Sequence, residues 1–573
     1  MDPNIKDKSE ARLPEAMRNI PDIPVLIVGG GPVGLSTSIL LSHHGIRSLL
    51  VEQHPGTSVY AKARFINART MEIFRQLGIE QAIRDIEIPH ARNFILARSL
   101  AGEELLRKPL EEGLSEYVRE WALTWGCTSS QEIIERVLLA QARWLEPAQI
   151  RFNTQLASFE QREEDILATL VHRRSGRVQH VRARYLIGAD GAHSTVREAL
   201  GIRMQGKPVL AYRVNIQFDA DLSPWVGDRE INMCYITNPD AVGNLYYYGG
   251  NRWKYQVFYY PDRGQRSEDF TPERCLQLIR MAVGAPELKV ELHEIMPWND
   301  AALVAERFYD RRAFLAGDAE HLMSPTGGFG MNVGIQDVHN LAWKLAAVLN
   351  GWADPALLAS YETERLPVSR VMVEQMASNL DSVPGAPGAG GADSTFSLPP
   401  VQPMLGSQMH NLVFGITYDS PVIVPDGTAP EKFANPVNDY APSARPGSRA
   451  PHVWLERAGE YISTLDLFGS DFVLLAGARG SGWCEATKSV SGSQGVPVQA
   501  FQIGPQGDLG DPDHAWVRTY GVEEDGAVLV RPDGYVAWRC AALKEEPTLE
   551  IETALQTALA KQTIQQRHVT HLI

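Results

Sequence analysis

A glycine-rich turn near the start of the chain constrains its fold more than any other feature. Apolar residues Val25–Val28 are typical of a buried strand, and Gly29, Gly31 and Gly34 follow it at GxGxxG spacing. A helical pattern comes next and leads directly into a second strand pattern, Ser48–Glu52. This order predicts a strand–helix–strand unit at the start of a parallel sheet, the setting in which a GxGxxG turn binds a dinucleotide.

Each glycine of this turn has a physical task. Gly29 permits the tight turn, Gly31 lets the backbone approach a pyrophosphate, and Gly34 lets the helix pack closely on the strand. The free N–H groups and the dipole at the helix N-terminus attract phosphates. Glu52 ends the second strand 18 residues after Gly34, where its carboxylate can accept hydrogen bonds from an adenosine ribose. Together these features predict a dinucleotide site.

Two later segments repeat the arrangement of an apolar strand followed by a polar turn. Asp190 and Gly191 follow one such strand, and Gly317 and Asp318 follow another more than a hundred residues later. A glycine-rich stretch, residues 325–332, comes soon after the second turn. We therefore expect distant parts of the chain to hold one long ligand.

These residues give the chain a resemblance to the class A flavoprotein aromatic hydroxylases, the group of para-hydroxybenzoate hydroxylase and phenol hydroxylase. The three motifs occur in the family's order over roughly residues 24 to 370. The resemblance implies that the first glycine motif holds the pyrophosphate of FAD. It also implies that the Asp190 motif serves both FAD and the nicotinamide cofactor, and that the Asp318 motif holds the ribityl chain of FAD.

Shorter segments extend this resemblance. Residues 62–72 resemble a segment in which an arginine contacts FAD, Gln131 resembles a glutamine beside the flavin, and residues 328–337 resemble the backbone around the flavin pyrimidine edge. Glu320 is a departure, because many relatives have a small residue there. The residues expected to bind the cofactor are Gly29, Gly31, Pro32, Val33, Gly34, Glu52, Gln53, Arg64, Arg69, Gln131, Asp190, Gly191, Gly317, Asp318, Pro325, Gly328, Gly330, Met331 and Asn332.

An aromatic stretch of strand patterns, Val209–Tyr260, predicts a separate sheet. We expect the substrate pocket between this sheet and the flavin. Aromatic residues in strands also serve simply as core, so both roles stay open for each candidate. No catalytic base and no metal site can be assigned. The candidates for contacting substrate are Arg213, Tyr235, Tyr246, Tyr248, Pro297 and Trp298.

We therefore predict an α/β protein with a Rossmann-like FAD-binding domain, an inserted β-rich substrate-binding domain and a C-terminal thioredoxin-like domain. The third domain is implied by the resemblance of residues 443–454 and 531–538 to the domain appended in phenol hydroxylase and in bacterial aromatic-polyketide hydroxylases. The predicted boundaries are a tail at 1–22, the FAD-binding domain at 23–95, 122–204 and 299–382, the substrate-binding domain at 96–121 and 205–298, a linker at 383–406 and the thioredoxin-like domain at 407–573.

Local patterns add further elements to this scheme. Helical periodicity returns after Gly334 and continues to about Leu380. In the C-terminal part we predict a buried strand at Phe472–Ala476, a hairpin within Val528–Trp538 and a closing helix at Glu550–Gln562.

The composition and charge of the chain disfavour several other classes of protein. A formal net charge of −15 disfavours nucleic-acid binding. No apolar run is long enough to span a membrane, and residues 1–22 lack the apolar segment of a secretory signal. The five cysteines are scattered, without CxxC or metal-site spacing. We expect a soluble cytoplasmic protein that binds neither nucleic acid nor membrane.

The resemblance also implies a reaction. NADPH or NADH would reduce FAD, and O₂ would give a C4a-hydroperoxyflavin that hydroxylates an electron-rich aromatic substrate. The chain has one convincing dinucleotide fingerprint and no CxxC, which disfavours the flavoprotein disulfide reductases. Residues 219–222, 269–275 and 325–330 most resemble hydroxylases of polycyclic polyketides of the tetracenomycin and angucyclinone type. For the C-terminal domain we expect a structural role or a homodimer contact.

Three other functions stay open at this stage. A catabolic hydroxylase of simple or chlorinated phenols would need a smaller pocket. A binding protein for an aromatic drug would bind its ligand without turnover. An FAD halogenase would carry a lysine in a tryptophan-rich motif, which the chain lacks.

Overall fold

The computed structural model describes residues 21–59, 62–109, 120–387 and 409–561. Its strands, in chain order, are β1 Asp22–Val28, β2 Ser48–Val51, β3 Phe65–Ile66, β4 Asn93–Ala97, β5 Glu104–Pro109, β6 Cys127–Thr128, β7 Gln149–Arg151, β8 Thr154–Gln161, β9 Ile166–His172, β10 Val178–Gly188, β11 Met204–Asp219, β12 Ile231–Ile236, β13 Gly243–Tyr247, β14 Arg252–Tyr259, β15 Glu291–Ala305, β16 Tyr309–Asp310, β17 Ala313–Leu315, β18 His321–Leu322, β19 Trp454–Arg457, β20 Glu460–Ser463, β21 Phe472–Ala476, β22 Val498–Gln502, β23 Ala527–Val530 and β24 Val536–Cys540.

The α-helices of the same described residues are α1 Pro32–His43, α2 Ala68–Gln76, α3 Glu80–Arg84, α4 Gln131–Trp144, α5 Thr195–Ala199, α6 Ser223–Val226, α7 Pro272–Val283, α8 Gly330–Leu349, α9 Ser360–Leu380, α10 His410–Phe414, α11 Ser481–Gln494, α12 Ala515–Tyr520 and α13 Pro547–Ala558. Within the described part of the chain, no helix has the length and apolar character that crossing a bilayer requires.

The first sheet carries the glycine-rich turn. Its strand order is β16-β17-β10-β1-β2-β7, with β9 paired to β10 and β8 to β9. Strands β17, β10, β1, β2 and β7 run parallel. Every residue of the segment Val25–Val28 is buried, as expected for a parallel sheet that helices cover on both faces. Because parallel strands end at the same edge, the turns after β1, β2, β10 and β17 lie side by side there.

The second sheet forms the predicted β-rich domain. Its order is β18-β15-β11-β14-β13-β12-β4-β5, and β12 and β4 form its one parallel pair among the described strands. Alternate residues of β11 and β14, such as Val214, Ile216 and Tyr255, pack with helix α7 into a core. The residues between them point to the opposite face, where Arg213 borders a cavity shared with the first domain.

The C-terminal domain has the predicted thioredoxin-like arrangement. Its four strands follow the order β22-β21-β23-β24. Strands β21 and β22 are parallel, whereas β23 and β24 run antiparallel to their neighbours. Helices α11 and α13 pack together beside this sheet. Cys484 lies buried on α11 as a free thiol, so the domain has no disulfide at that position.

A buried ionic network joins this domain to helices α8 and α9. Arg531, just after β23, donates to both carboxylate oxygens of Glu364 at 2.7 and 2.9 Å and also pairs with Asp533. Lys344 donates to Glu364 at 2.8 Å. Burial alone would raise the pKa of Glu364, but Arg531 and Lys344 outweigh it and hold that pKa well below its usual range. Loss of one member would leave a buried charge uncompensated.

Some predicted boundaries differ from the structure. The single helical region predicted after Gly334 is two helices, α8 and α9. Gly351 adopts a left-handed φ of +79° and Pro355 opens a short 3₁₀ turn, so α8 ends before them. The predicted domain limits at residues 95 and 298 fall inside β4 and β15, two strands of the second sheet. The closing helix begins at Pro547 and ends at Ala558. Most of the predicted linker lies in residues 388–408, outside the described part.

Candidate cofactor cleft and substrate cavity

The three predicted cofactor motifs meet at the carboxyl edge of the first sheet. A Cβ atom added to Gly29 would lie 2.2 Å from the carbonyl oxygen of Ala189, so the first turn contacts the Asp190 turn. A Cβ added to Gly317 would lie 2.9 Å from Cγ2 of Val33, so the third turn contacts the start of α1. Turns that are far apart in the sequence therefore form one continuous surface.

Within the first turn, the glycines differ in what surrounds them. Gly29 has a left-handed φ of +110°, and a Cβ on Gly34 would lie 2.0 Å from the carbonyl oxygen of Gly29. By contrast, a Cβ on Gly31 would meet no atom of the described protein within 4 Å. Helix α1 starts beside this open space at Pro32, and no side chain of the described residues caps its N–H groups. Open space in front of free helix N–H groups fits a diphosphate.

Glu52 lies at the end of β2, next to this turn. Its carboxylate accepts hydrogen bonds from the backbone N–H groups of Gly30 at 2.7 Å and His54 at 2.8 Å. These bonds fix the carboxylate while leaving it further lone pairs for a ligand hydroxyl. Gln53 is exposed and accepts a hydrogen bond from Arg173 at 3.5 Å. Ribose binding by Glu52 and Gln53 stays a prediction.

The Asp190 side chain supports its own turn. Its carboxylate accepts hydrogen bonds from the Ser194 hydroxyl and from the Val196 N–H group, at the start of α5. Burial raises the pKa of Asp190, although these donors oppose the rise. Gly191 continues the turn with a left-handed φ of +80°. Contact of this turn with FAD or with the nicotinamide cofactor stays a prediction.

Asp318 has the surroundings of a carboxylate inside a cleft. The residue is exposed, yet burial within the protein raises the pKa of its carboxyl group, with His321 and Lys62 opposing the rise. A group that is both accessible and surrounded by protein borders an enclosed space. Such a carboxylate is well placed to accept hydrogen bonds from ligand hydroxyl groups.

The start of α8 is tied to residues 65–67. Asn332 is fully buried, and its side-chain oxygen accepts from the N–H of Asn67 at 2.9 Å. Its amide nitrogen donates to the carbonyl oxygens of Phe65 at 2.9 Å and Gly328 at 2.7 Å. Helix α8 begins at Gly330 without a side-chain cap, whereas Met331 packs against the core of the first domain. The Asn332 side chain therefore shapes this loop through protein contacts.

The two arginines predicted near FAD have different locations. Arg64 donates to the carbonyl oxygens of Asn232 and Tyr247 in the second sheet, and it lines the cavity between the domains. Arg69 is buried and donates to Glu72 at 2.9 Å and to the carbonyl oxygen of Asp533 at 2.9 Å. Both protein partners of Arg69 belong to the contact with the C-terminal domain, so the structure gives it a structural role.

Gln131 connects helix α4 to the segment that carries Arg64. Its side-chain oxygen accepts from the N–H of Ala63 at 3.0 Å, and its own N–H donates to the Ala63 carbonyl oxygen at 2.9 Å. Its amide nitrogen donates to Glu135 at 2.7 Å. Gln131 therefore positions residues 63–64, and its contact with a flavin stays a prediction.

Glu320, where the chain departs from many relatives, is accommodated in a buried polar cluster. It accepts a hydrogen bond from the Tyr361 hydroxyl and lies beside His321 and Asp337, whose side chains bond to each other at 2.8 Å. Burial, reinforced by the Asp337 charge, raises the pKa of Glu320 well above its usual range. Arg365 neutralises Asp337 at 2.7 Å. The cluster is therefore an internally paired network behind Asp318.

A cavity lies between the second sheet and the first domain. It encloses about 790 Å³ of empty space, part of which belongs to its open mouth. Three predicted substrate residues, Arg213, Tyr235 and Tyr246, belong to its wall. Among the described residues, its lining consists of Arg64, Phe65, Phe94, Thr128, Arg213, Asn232, Met233, Tyr235, Asn244, Tyr246, Pro325, Thr326, Gly327, Gly328 and Val383.

Sequence reasoning missed some wall residues that strand periodicity could have found. Met233 and Asn244 lie two positions before Tyr235 and Tyr246 on β12 and β13. Residues two apart share a strand face, so the choice of either tyrosine implies its neighbour. Phe94 and Val383 carry no such signal, because they reach the wall from distant segments.

The other three predicted substrate residues do not line this cavity. Tyr248 is buried beside Arg64, with its ring centre 5.0 Å from the guanidinium, and it lines a second cavity. Pro297 is exposed on β15. Trp298 lies 5.6 Å from the guanidinium of Arg213. Predicted contact of these residues with substrate therefore has no support from the shape of the main cavity.

Comparisons with known proteins agree with this arrangement of domains. Residues 22–376 match the family described as FAD binding domain, and residues 443–561 match the family described as aromatic-ring hydroxylase, C-terminal. The chain is 38% identical over 565 residues to a tetracenomycin A2 monooxygenase-dioxygenase of Streptomyces glaucescens, with 94% of this chain and 97% of that protein covered. It is 32% identical over 590 residues to a 2,4-dichlorophenol 6-monooxygenase of Delftia acidovorans, with coverage of 94% and 98%.

A solved structure also matches this chain over nearly its whole length. The ternary complex of aklavinone-11 hydroxylase with FAD and aklavinone matches with a TM-score of 0.85 at 37% identity, covering 95% of this chain and 100% of that one.

Proposed function

The chain belongs to the FAD-dependent aromatic-ring hydroxylases, and from that premise we propose that it hydroxylates a polycyclic phenol of the aromatic polyketide type. It is a monooxygenase with FAD as cofactor and a nicotinamide cofactor as the usual reductant of its class. The observation that carries the proposal is the contact of the three polar turns at one sheet edge, beside a cavity walled by the second sheet. O₂ is the proposed oxygen donor.

The protein's own part in this reaction is to bind the cofactor, to orient the substrate and to limit the access of water. In the proposal, the N–H groups around Gly31 hold the pyrophosphate and Asp318 accepts hydrogen bonds from the ribityl hydroxyls. Tyr235 and Tyr246 orient the substrate ring, and the enclosed wall limits access of water. When bound, FAD supplies the electron transfer and the activation of oxygen.

The contribution of Asp318 to cofactor binding can be measured directly. We expect Asp318→Ala to weaken FAD binding about 10- to 100-fold, because a hydrogen bond to a charged group contributes about 1.5–3 kcal/mol. Fluorescence titration of the apoprotein with FAD measures the change. Asp262→Ala, at an exposed position in the second domain, serves as the control. An unchanged Kd for the Asp318 variant would remove this residue from the proposed site.

The relatives favour a polycyclic substrate over a simple phenol. The tetracenomycin and aklavinone enzymes carry polycyclic compounds in their names. The alternative, a catabolic hydroxylase of simple phenols, has support from the similarity to the dichlorophenol monooxygenase. A drug-binding protein without turnover is the remaining alternative, from a different class.

Turnover with a substrate panel separates these functions. The FAD-loaded protein is mixed with NADPH or NADH and with hydroxylated anthraquinones, hydroxylated tetracyclic quinones, phenol or 2,4-dichlorophenol. We expect the polycyclic phenols to give the highest kcat/KM for substrate-dependent nicotinamide oxidation. Higher values with phenol or dichlorophenol would support the catabolic alternative, and tight binding of polycycles without oxidation would support the binding protein.

Two of the predicted substrate residues should differ in their effect on substrate affinity. We expect Tyr235→Leu to raise KM for the preferred polycycle about 2- to 10-fold, since an aromatic contact contributes about 0.5–1.5 kcal/mol beyond its buried area. Pro297→Ala should leave KM unchanged, because Pro297 is exposed and lies outside the cavity wall. Steady-state kinetics with both variants measures the difference, and equal effects would contradict the placement of the substrate.

A homodimer and a cytoplasmic location remain predictions. The hairpin β19–β20 offers a candidate dimer contact, because Trp454 and Tyr461 are 43% and 65% exposed on one face of it. Sedimentation velocity of the FAD-loaded protein decides whether a dimer forms.

A further inference from the structure

A row of polar side chains crosses the second sheet on the face that borders the main cavity. Cross-strand pairing places Asn215 beside Gln256, and Gln256 beside Asn244. Asn244 pairs in turn with Tyr235. Each of the four residues is buried, with at most 8% of its surface exposed. Because burying a polar group is costly unless it is hydrogen-bonded, each member of the row is expected to have a partner.

The part of the row around Gln256 is held by protein contacts. The side-chain oxygen of Gln256 accepts hydrogen bonds from Arg213 at 2.6 Å and from the Tyr246 hydroxyl at 3.4 Å. The amide nitrogen of Gln256 donates to the side-chain oxygen of Asn215 at 2.9 Å. Arg213 is itself neutralised by Asp300 at 2.6 Å. The two hydrogen bonds that Gln256 accepts occupy both lone pairs of its side-chain oxygen.

Asn244 differs from the rest of the row. The residue is only 2% exposed, and its side-chain oxygen is buried without a hydrogen-bond partner among the described residues. Its amide nitrogen also donates to none of the residues that the structure describes. Asn244 nevertheless lines the main cavity. Because its oxygen is enclosed in the wall, the amide nitrogen is the polar end of this side chain that can reach the cavity.

Asn232 provides a comparison within the same wall. It also lines the main cavity, but its amide nitrogen donates to the carbonyl oxygen of Ala91 at 3.0 Å, and its backbone carbonyl accepts from Arg64 at 2.9 Å. Its contacts therefore give Asn232 a role in holding the wall together. Asn244 has no such role, so its amide is available to a ligand.

The chemistry of the wall favours a carbonyl oxygen as the partner of Asn244. A free N–H group needs an acceptor, and a ring carbonyl is an acceptor only. A phenolic hydroxyl would bring its own O–H group to a place where the neighbouring Gln256 oxygen already accepts two hydrogen bonds. Among the described residues, no carboxylate lines the cavity that could accept from this O–H group.

We propose that the side-chain amide of Asn244 donates a hydrogen bond to a ring carbonyl oxygen of the substrate. This inference rests on the proposed function and narrows its substrate class to polycyclic quinones and ketones. The hydrogen bond fixes the rotation of the flat ring system within the cavity, and it therefore determines which ring carbon lies toward the cofactor cleft. Asn244 is thus a residue that determines specificity.

Two ligands that differ by one carbonyl group test this assignment. 1,8-Dihydroxyanthrone has the same rings and hydroxyls as 1,8-dihydroxyanthraquinone, but a CH₂ group replaces the carbonyl that is remote from the hydroxyls. Each compound is titrated without oxygen into the FAD-loaded protein in the absence of nicotinamide, and the change in flavin absorption gives the Kd. We expect the wild type to bind the quinone about 3- to 10-fold more tightly, the effect of one net hydrogen bond. Asn244→Leu should lose this preference.

Three further variants separate recognition from folding. Asn244→Asp replaces the amide donor with an acceptor, so it should weaken binding of the quinone more than binding of the anthrone. Asn215→Leu removes another buried amide of the same row, one that is paired with Gln256 and lies outside the cavity wall. It should lower the melting temperature and yet keep the preference for the quinone. Asn299→Leu, at an exposed position on β15, should behave as wild type.

Three results would overturn the assignment. They are an equal preference in wild type and Asn244→Leu, equal binding of the two compounds by wild type, and an equal loss of preference in Asn215→Leu, which would assign the effect to packing of the sheet. If wild type binds the quinone tightly and gives one of these results, only the present inference fails. Failure of wild type to bind either compound would contradict the proposed function as well.

Discussion

Replacing Gly31 with valine is expected to abolish FAD binding while changing the free energy of unfolding of the FAD-free protein by less than about 0.5 kcal/mol. The backbone at Gly31 is extended, and a Cβ atom added there meets no described protein atom within 4 Å, so open space surrounds the position. The apoprotein therefore has room for valine. The proposed pyrophosphate would occupy the same space, so we expect FAD affinity to fall by at least about 100-fold, or about 2.7 kcal/mol.

Two further variants make this result specific. Gly29→Ala should destabilise even the apoprotein, because its φ is +110° and the new Cβ would lie 2.2 Å from the Ala189 carbonyl oxygen. Gly492→Val lies at an exposed helix position of the C-terminal domain with open space around it. It should leave FAD affinity unchanged and should change the free energy of unfolding only by the difference in helix propensity between glycine and valine. Chemical denaturation and FAD titration measure the two quantities. Normal FAD binding by Gly31→Val would contradict the proposed position of the pyrophosphate.

Replacing Arg531 with methionine is expected to destabilise the protein by about 3–5 kcal/mol. The substitution would leave Glu364 and Asp533 buried, with Lys344 as the nearest remaining cation. Denaturant unfolding at neutral pH measures the loss. Arg479→Met breaks an exposed pair with Glu524 in the same domain and should cost less than about 1 kcal/mol.

The pH dependence of this loss has a defined sign. The pKa of Glu364 is lowered in the folded protein, so its contribution is present above the ordinary glutamate pKa and is lost as the pH falls toward the lowered value. The difference between wild type and Arg531→Met should therefore shrink below about pH 4.5. A destabilisation as small as that of Arg479→Met at neutral pH would contradict the role of the network.

The sequence predicted the meeting of the three turns because its signals are local. Gly29 and Gly34 are required by a left-handed φ and by a close helix–strand contact, and both constraints are encoded within a few residues. Asp190 and Asp318 follow strands that the apolar pattern identifies. Parallel pairing then brings the turns together, because strand ends share one edge.

Contacts between residues that are far apart in the sequence could not be predicted in this way. Arg69 was expected at the flavin, yet it bonds to Asp533, 464 residues away, and nothing near Arg69 in the sequence indicates that partner. The break between α8 and α9 could have been predicted from the sequence, because Gly351 and Pro355 are local signals that indicate it.

The most direct test of the whole arrangement is the origin of the oxygen atom in the product. The FAD-loaded wild type is supplied with a nicotinamide cofactor and a hydroxylated polycyclic quinone under ¹⁸O₂, and the product is examined by mass spectrometry. The account predicts a product that contains one ¹⁸O atom per nicotinamide oxidised, with no such product from Gly31→Val. Nicotinamide oxidation that yields only hydrogen peroxide with every polycyclic phenol, or equal product from Gly31→Val, would contradict it.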